Sequence, residues 1–334
     1  MNQSLYKMLT VIFLVVVSTP TIAEPVGKQS SIPPMPEGFS SFGAAVCDGY
    51  VYVYGGHVGR THHYSTEAVH GKFRRLNLAN PSSGWEELTP GPRLQGLALV
   101  PYKGKVYRIG GMQPMNKEGD PRDTISQKSV SVYDPQTKKW HKLPDMPQGR
   151  SSHDATVVGD RIVVVGGWTM NGKGQKSVWL DNALVLDLSK KQPKWESIPQ
   201  PFQKRALNLT VLDKQAVVVG GMGSKGISDR EIYFLDPEKR TWKKGPRVPG
   251  LARNVFSPAA CNLKGSVYIS PLDGLVYRLN DSRDGWQEVG EVATKRLVHR
   301  LLPNSNSLLV IGGASRQGNV ASVEVISPEE DKSN

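Results

Sequence analysis

The chain has 334 residues, with 42 Lys and Arg against 30 Asp and Glu and a formal charge of +12. The basic residues are scattered through loops with no dense block or basic helix, which argues against nucleic acid as a partner. The charge still attracts anionic glycans, carboxylated sugars or an anionic envelope surface. Beyond residue 23 no apolar run approaches about 18 residues, which excludes a membrane-spanning helix.

In chain order, the first segment has a charged start ending at Lys7, an apolar run from Leu9 to Val17, and small residues ending Thr21-Ile22-Ala23. That pattern predicts a secretory signal peptide over 1–23, hence a periplasmic or secreted protein, and no cysteine follows that would take a lipid anchor. Residues 24–334 are expected to form one domain. Cys47 and Cys261 fall in similar places of two separated segments (Ala45-Val46-Cys47-Asp48 and Ala259-Ala260-Cys261-Asn262), at the end of equivalent strands, and are expected to be buried free thiols.

From there a unit recurs, marked by an apolar run ending in paired glycines at Gly55-Gly56, Gly110-Gly111, Gly166-Gly167, Gly220-Gly221 and Gly312-Gly313. Ser266 to Pro271 stands as a worn copy in the long gap between the last two pairs, which makes six units. After the glycines come a polar loop, an alternating strand such as Val130 to Tyr133, a turn such as Asp134-Pro135, and in five units a tryptophan (Trp85, Trp140, Trp195, Trp242, Trp286). Period-two alternation at this repeat length predicts four antiparallel strands per unit, an all-β six-bladed propeller. The last unit runs out before any tryptophan, while Ser31-Ile-Pro-Pro-Met-Pro36 matches Lys142-Leu-Pro-Asp-Met-Pro147. An N-terminal strand is therefore expected to complete the C-terminal blade and close the ring.

The double glycine, the aromatics before it, the Asp-Pro turn and the spaced tryptophan resemble Kelch repeats over almost the whole of 24–334. The chain is also similar to exported bacterial Kelch proteins of the N-acetylneuraminate epimerase type, a likeness that includes Asn304 to Gly313. That resemblance implies either a binding module or a cofactor-free mutarotase of a carboxylated sugar. The copper radical oxidases that share such blades need a cysteine crosslinked to a tyrosine near the channel mouth. Cys47 and Cys261, at strand ends, do not suit that role.

The longest loops, His57 to Lys72, Met112 to Lys128 and Trp168 to Asn182, all emerge on one face. Ahead of the first strand stand Arg93, Arg150, Arg205, Arg253 and Arg296, with Phe39 in the sixth place, each 15 to 17 residues before its glycine position. Such forks suit carboxylate, sulfate or phosphate, or else hold neighbouring loops by hydrogen bonds. His153 and His299 follow three residues further on, with Gly96, Asn208, Phe256 and Phe42 as equivalents, and are expected to line the channel. The first loop packs His57, His62, His63 and His70 with Tyr64 and Glu67. It reads as a polar ligand-binding loop or, with a poor match to ligand spacing, as a metal site. Trp168 and Trp179 form a possible platform for a sugar or peptide, or cap their own loop. Glu67, His153 and Asp181 are the acid-base candidates for a mutarotase, with Arg150 or Arg205 on the carboxylate. The expected partner is an anionic glycan, a carboxylated sugar or an envelope protein, bound by a monomer that uses no cofactor.

Overall fold

The computed structural model describes residues 32–328; the segment read as a signal peptide lies outside them. Six antiparallel sheets are arranged radially, and in each the strands lie in chain order from the channel outwards. The innermost strands are Gly43–Cys47, Ala98–Tyr102, Asp154–Val158, Asn208–Leu212, Ala259–Leu263 and Arg300–Asn304. Each touches its two neighbours, and the sixth returns to the first. No α-helix occurs among the described residues.

The second strands explain why these segments choose this architecture. Tyr50-Val-Tyr-Val-Tyr54 and Arg161-Ile-Val-Val-Val165 are buried on both faces after their first residue, because each sheet is sandwiched between two others. The core is accordingly divided into six wedges, one per junction between blades. In one of them Tyr52, Tyr54, Phe73, Tyr133 and Trp140 stack with centroids 4.9 to 6.5 Å apart. The paired glycines carry the chain past the next blade in the left-handed region. At Gly110 (φ 56°) a Cβ would lie 2.6 Å from the carbonyl oxygen of Arg150.

Three features hold the ring together. At the channel mouth the residues Ser41, Gly96, Ser152, Ala206, Ser257 and Val298 all take φ between 50° and 60°. Each of their N–H groups donates to the carbonyl of the equivalent residue one blade back, and Ser41 N–H to Val298 O (3.2 Å) completes the circle. On the outer side each of the five tryptophans donates its indole N–H to a carbonyl of the preceding blade, as Trp195 does to Pro144 (2.9 Å) and Trp242 to Pro199 (2.9 Å). Across the channel, Arg300 of the sixth blade donates to both carboxylate oxygens of Asp154 in the third (3.0 and 3.1 Å) and to the carbonyls of Phe42 and Leu97. The channel is thereby plugged by a buried ion pair.

The N-terminal segment takes the outer place of the sixth blade. Met35 N–H donates to Ala321 O (2.8 Å) as Met146 N–H does to Lys128 O (2.9 Å), and Trp85 donates to Pro33 O (3.3 Å) in the manner of the other tryptophans. No ladder is formed there among the described residues, since Pro33 and Pro34 have no N–H to contribute. Both cysteines are buried and unpaired. They are not register equivalents, however: Cys47 ends its strand, whereas Cys261 is central in its own, two residues earlier in the repeat. Burial pushes the Cys47 thiol up to about 11.

Because Met35 and Met146 occupy the same place in two blades and are equally buried (3% and 1% exposed), Met35→Ala and Met146→Ala should destabilise alike, by about 2–4 kcal/mol in urea unfolding. A near-neutral Met35→Ala beside a costly Met146→Ala would show that the first segment is merely laid against the ring.

Candidate functional site

The loop-bearing face is built from hairpins that lock onto one another. In the second blade Met112–Pro114 pairs with Thr124–Ser126, and in the third Trp168–Thr169 pairs with Val178–Trp179. The two hairpins join through Ser126 N–H to Met170 O (2.9 Å) and Gly172 N–H to Thr124 O (3.1 Å). The first blade's loop attaches to the second through Thr66 N–H to Asn116 O (2.9 Å), Asn116 Nδ2 to Tyr64 O (2.8 Å) and Glu118 N–H to Glu67 Oε2 (2.9 Å). Loops of three blades thus form one hydrogen-bonded wall. A cleft of about 400 Å³ lies between the first two, lined among others by Arg60, His62, His63, Tyr64, Glu67 and Arg122.

The expected ring of five arginines is not one ring. Backbone hydrogen bonds to the paired glycines fix the equivalent positions as Phe39, Leu94, Arg150, Lys204 and Val255, and Arg296 joins them, two residues before the left-handed Val298 as each of the others is before its own. The two in-register arginines are fully buried. Arg150 donates to the carbonyls of Gly166 and Asn182 (both 2.9 Å) and to Asn182 Oδ1 (2.8 Å). Arg296 makes the matching bonds to Gly312 O and Ser322 O and pairs with Glu324. Both are internal struts, as is Lys204, whose ammonium meets Asp229 at 2.5 Å.

Arg93, Arg205 and Arg253 lie one or two residues out of register, and a one-residue slip turns a side chain to the opposite side. Arg93 is exposed and ties down the first loop through Thr66 O (2.6 Å) and Val69 O (3.2 Å). Arg253 is exposed on the short 3-10 turn Ala252–Val255. Arg205 lies over Trp168 (4.2 Å to the ring centre), with Trp179 at 5.7 Å and Phe256 at 6.0 Å. Its Nε is buried without a partner among the described residues. Burial lowers its pKa, the Tyr64 phenol opposes this, and the nearby positive charge of Arg122 lowers it further. Arg122, which the repeat pattern does not single out, stacks on Tyr64 at 4.6 Å. Neither Arg122 nor Arg205 has a carboxylate within ion-pair distance among the described residues.

The histidines separate. His57 Nε2 bonds the carbonyl of His63 (2.8 Å) and packs on Tyr64, whereas His70 is buried against Phe39 and Glu37. His62 and His63 are exposed. Among the described residues no three His, Cys, Asp or Glu converge as a metal site. His153 and His299 are buried at the narrow neck beside the ring of left-handed residues, and their register equivalents are Phe42, Leu97, Leu207 and Pro258 rather than Gly96, Asn208 and Phe256. Burial, reinforced by Arg150 and Arg300 at His153 and by Arg296 and Arg300 at His299, pushes each imidazole down to about 3. The acid-base candidates do not meet. Glu67 lines the cleft of the first two blades, with hydroxyl and amide donors, Ser65 foremost, holding its carboxyl below the usual range. Asp181 borders a separate groove with Gln200, Lys204 and Ile227.

A signal that repeat analysis misses is the distribution of apolar side chains. Met115, Val178, Ile227 and Leu251, the large hydrophobics that stand exposed among the described residues, all belong to the loop-bearing face. Trp168 and Trp179, a T-shaped pair with centroids 5.7 Å apart, are half-buried in the same face.

Residues 44–270 match the family model of the KLHDC2/KLHL20/DRC7 Kelch-repeats domain. The chain is 29% identical over 164 residues to beta-scruin of Limulus polyphemus, covering 46% of this chain and 16% of that protein. It is 27% identical over 223 residues to Kelch-like protein 40 of Xenopus laevis, covering 64% and 33%. It thus spans a third or less of the length of these relatives. The solved structure titled "Structure of YjhT" superposes with a TM-score of 0.71 at 20% identity, over 90% of this chain and 98% of that one, which speaks to the fold alone.

The neck histidines predict acid sensitivity. Folded imidazoles at about 3 stay neutral where unfolded ones, near 6.5, bind protons, so the unfolded state gains protons as pH falls below that value. Stability should therefore drop between pH 7 and pH 5, by about 2 kcal/mol per histidine. His299→Leu should flatten the pH dependence of the urea midpoint, and an unchanged slope would show that its imidazole takes up protons in the fold.

Proposed function

The chain belongs to the Kelch-repeat family, whose propellers in general bind proteins, and on that premise we propose that it is an exported binding protein. In this reading its loop-bearing face takes an acidic protein or glycan segment against Arg122 and Arg205. The observation that carries this is the coincidence of two arginines lacking carboxylate partners with the exposed apolar residues of that face. Charge alone gives steering, and apolar area supplies affinity; a face with both suits a macromolecular partner better than a free ion. Preorganisation supports the same reading, because hydrogen bonds between three loops fix Tyr64, Arg122 and Trp168 before a ligand arrives. The indoles beside Arg205 also suit a carboxylated sugar, which keeps the glycan within the same site. A mutarotase of such a sugar has less support, since Glu67 and Asp181 lie in separate clefts and His153 is buried and held neutral.

The test is a binding screen against acidic peptides and carboxylated glycans with wild type beside Arg122→Glu/Arg205→Glu. Loss of two charge-assisted contacts at about 1.5–3 kcal/mol each predicts a weakening of at least about 10²-fold. A ligand held equally by both proteins would sink the site. Export has its own test: the protein made in a secreting bacterial host should begin at Glu24 by N-terminal sequencing, and an intact Met1 in the cell extract would remove that part of the reading.

A further inference from the structure

Charge is segregated around the rim opposite the loop face, where the turns between third and fourth strands emerge. In the second blade the turn and outer strand (residues 135–143) carry Lys138, Lys139 and Lys142 and no acid. The third blade offers Lys190, Lys191 and Lys194 against Glu196, and the fourth has Lys243 and Lys244 further along its outer strand, beyond a turn that holds Glu238. The same stretch of the first blade holds Glu86 and Glu87 without a base, and that of the fifth holds four acids and Arg283. Every lysine just named is exposed, and none has an ion-pair partner among the described residues. By contrast the nearby arginines are spent internally, Arg240 on Glu196 (3.0 Å) and Arg247 on Glu231 (3.4 Å).

Unpaired like charges on adjacent blades repel one another and contribute nothing to folding, so their place calls for an external counter-charge. Its kind follows from what is missing as well as what is present. The rim offers lysine ammoniums on flexible stems, with no free guanidinium fork to select a particular phosphate. Among the described residues, none of these lysines lines the channel, the neck, the cleft between the first two blades or the groove beside Asp181. The turns of the second and third blades, neighbours in the ring, emerge on one face and can meet a plane together. We propose that this lysine rim docks the propeller on an anionic lipid bilayer, leaving the loop face turned away from the membrane. The inference is independent of what the loop face binds.

The experiment sediments the full chain with phosphatidylcholine vesicles, with and without phosphatidylglycerol, at low and at physiological salt. Binding should appear only with the anionic lipid and weaken as salt rises. Each rim lysine is expected to contribute up to about fivefold. Lys138→Gln/Lys139→Gln/Lys190→Gln/Lys191→Gln should therefore lose at least about tenfold while melting at the wild-type temperature or above. The control Lys117→Gln/Lys173→Gln/Lys176→Gln/Lys225→Gln removes the same charge from the loop face and should bind vesicles nearly as wild type does. Three results overturn the proposal: indifference of the wild type to lipid charge, equal loss in the rim and control variants, or a rim variant that loses heparin or duplex DNA but still pellets with the vesicles.

Discussion

Six backbone hydrogen bonds around the channel mouth are the constraint on which this molecule depends. Each joins a left-handed residue to its counterpart one blade back, and the bond from Ser41 to Val298 joins the first blade to the sixth. Val298, a β-branched residue, takes φ 50° to make its bond, a conformation that costs free energy and persists only where the surroundings dictate it. Everything outside follows from that circle. It sets the spacing of the innermost strands, which sets the wedges of core between blades. The wedges have no common centre, so a ring opened at any junction would expose both sides of the wedge at that break.

Inside the circle the protein spends its buried charge on closing the channel. Arg300 reaches from the sixth blade to Asp154 in the third, and Asp154 also accepts from Leu209 N–H (2.9 Å). Each partner answers the other's burial, and removal of either would leave a charge stranded in a low-dielectric place. At the neck beside the mouth only about 50 Å³ remains open, while beyond it the innermost strands line a channel of about 470 Å³ with Asp154 and Arg300 in its wall. From the loop-bearing side, binding is consequently a matter of the face and its loops.

The fold was legible because its signals are backbone requirements. Paired glycines answer a left-handed path close to the next blade, and tryptophans mark where an outer strand meets the preceding blade. Proline and methionine at 33–36 repeat the pattern at 144–147 closely enough to identify the closing segment. The site was far less legible. Buried Arg150 and Arg296 stand 16 residues before their glycines, whereas Arg93 and Arg205 stand 17 and 15 before theirs; the difference is written in the sequence, but as a slip of a single residue that is easily read as one ring. Arg122 was invisible because a loop that occurs in one blade has no copy to align with. The imidazoles of the first loop looked like a cluster in sequence, yet the chain between His63 and His70 turns one outward and the other into the wall. Backbone geometry recurs from blade to blade and leaves a periodic trace, whereas a binding surface is made where blades differ.

The shared sixth blade also fixes an order of events. Residues near Met35 are made 286 residues ahead of their hydrogen-bonding partner, Ala321, and so wait for all the intervening blades. Until then the first blade presents Trp85 and its apolar flank to an empty side, a surface suited to a chaperone or to a second unfinished copy. Closure of the ring is therefore a largely all-or-none step, completed by the meeting of its first-made and last-made segments.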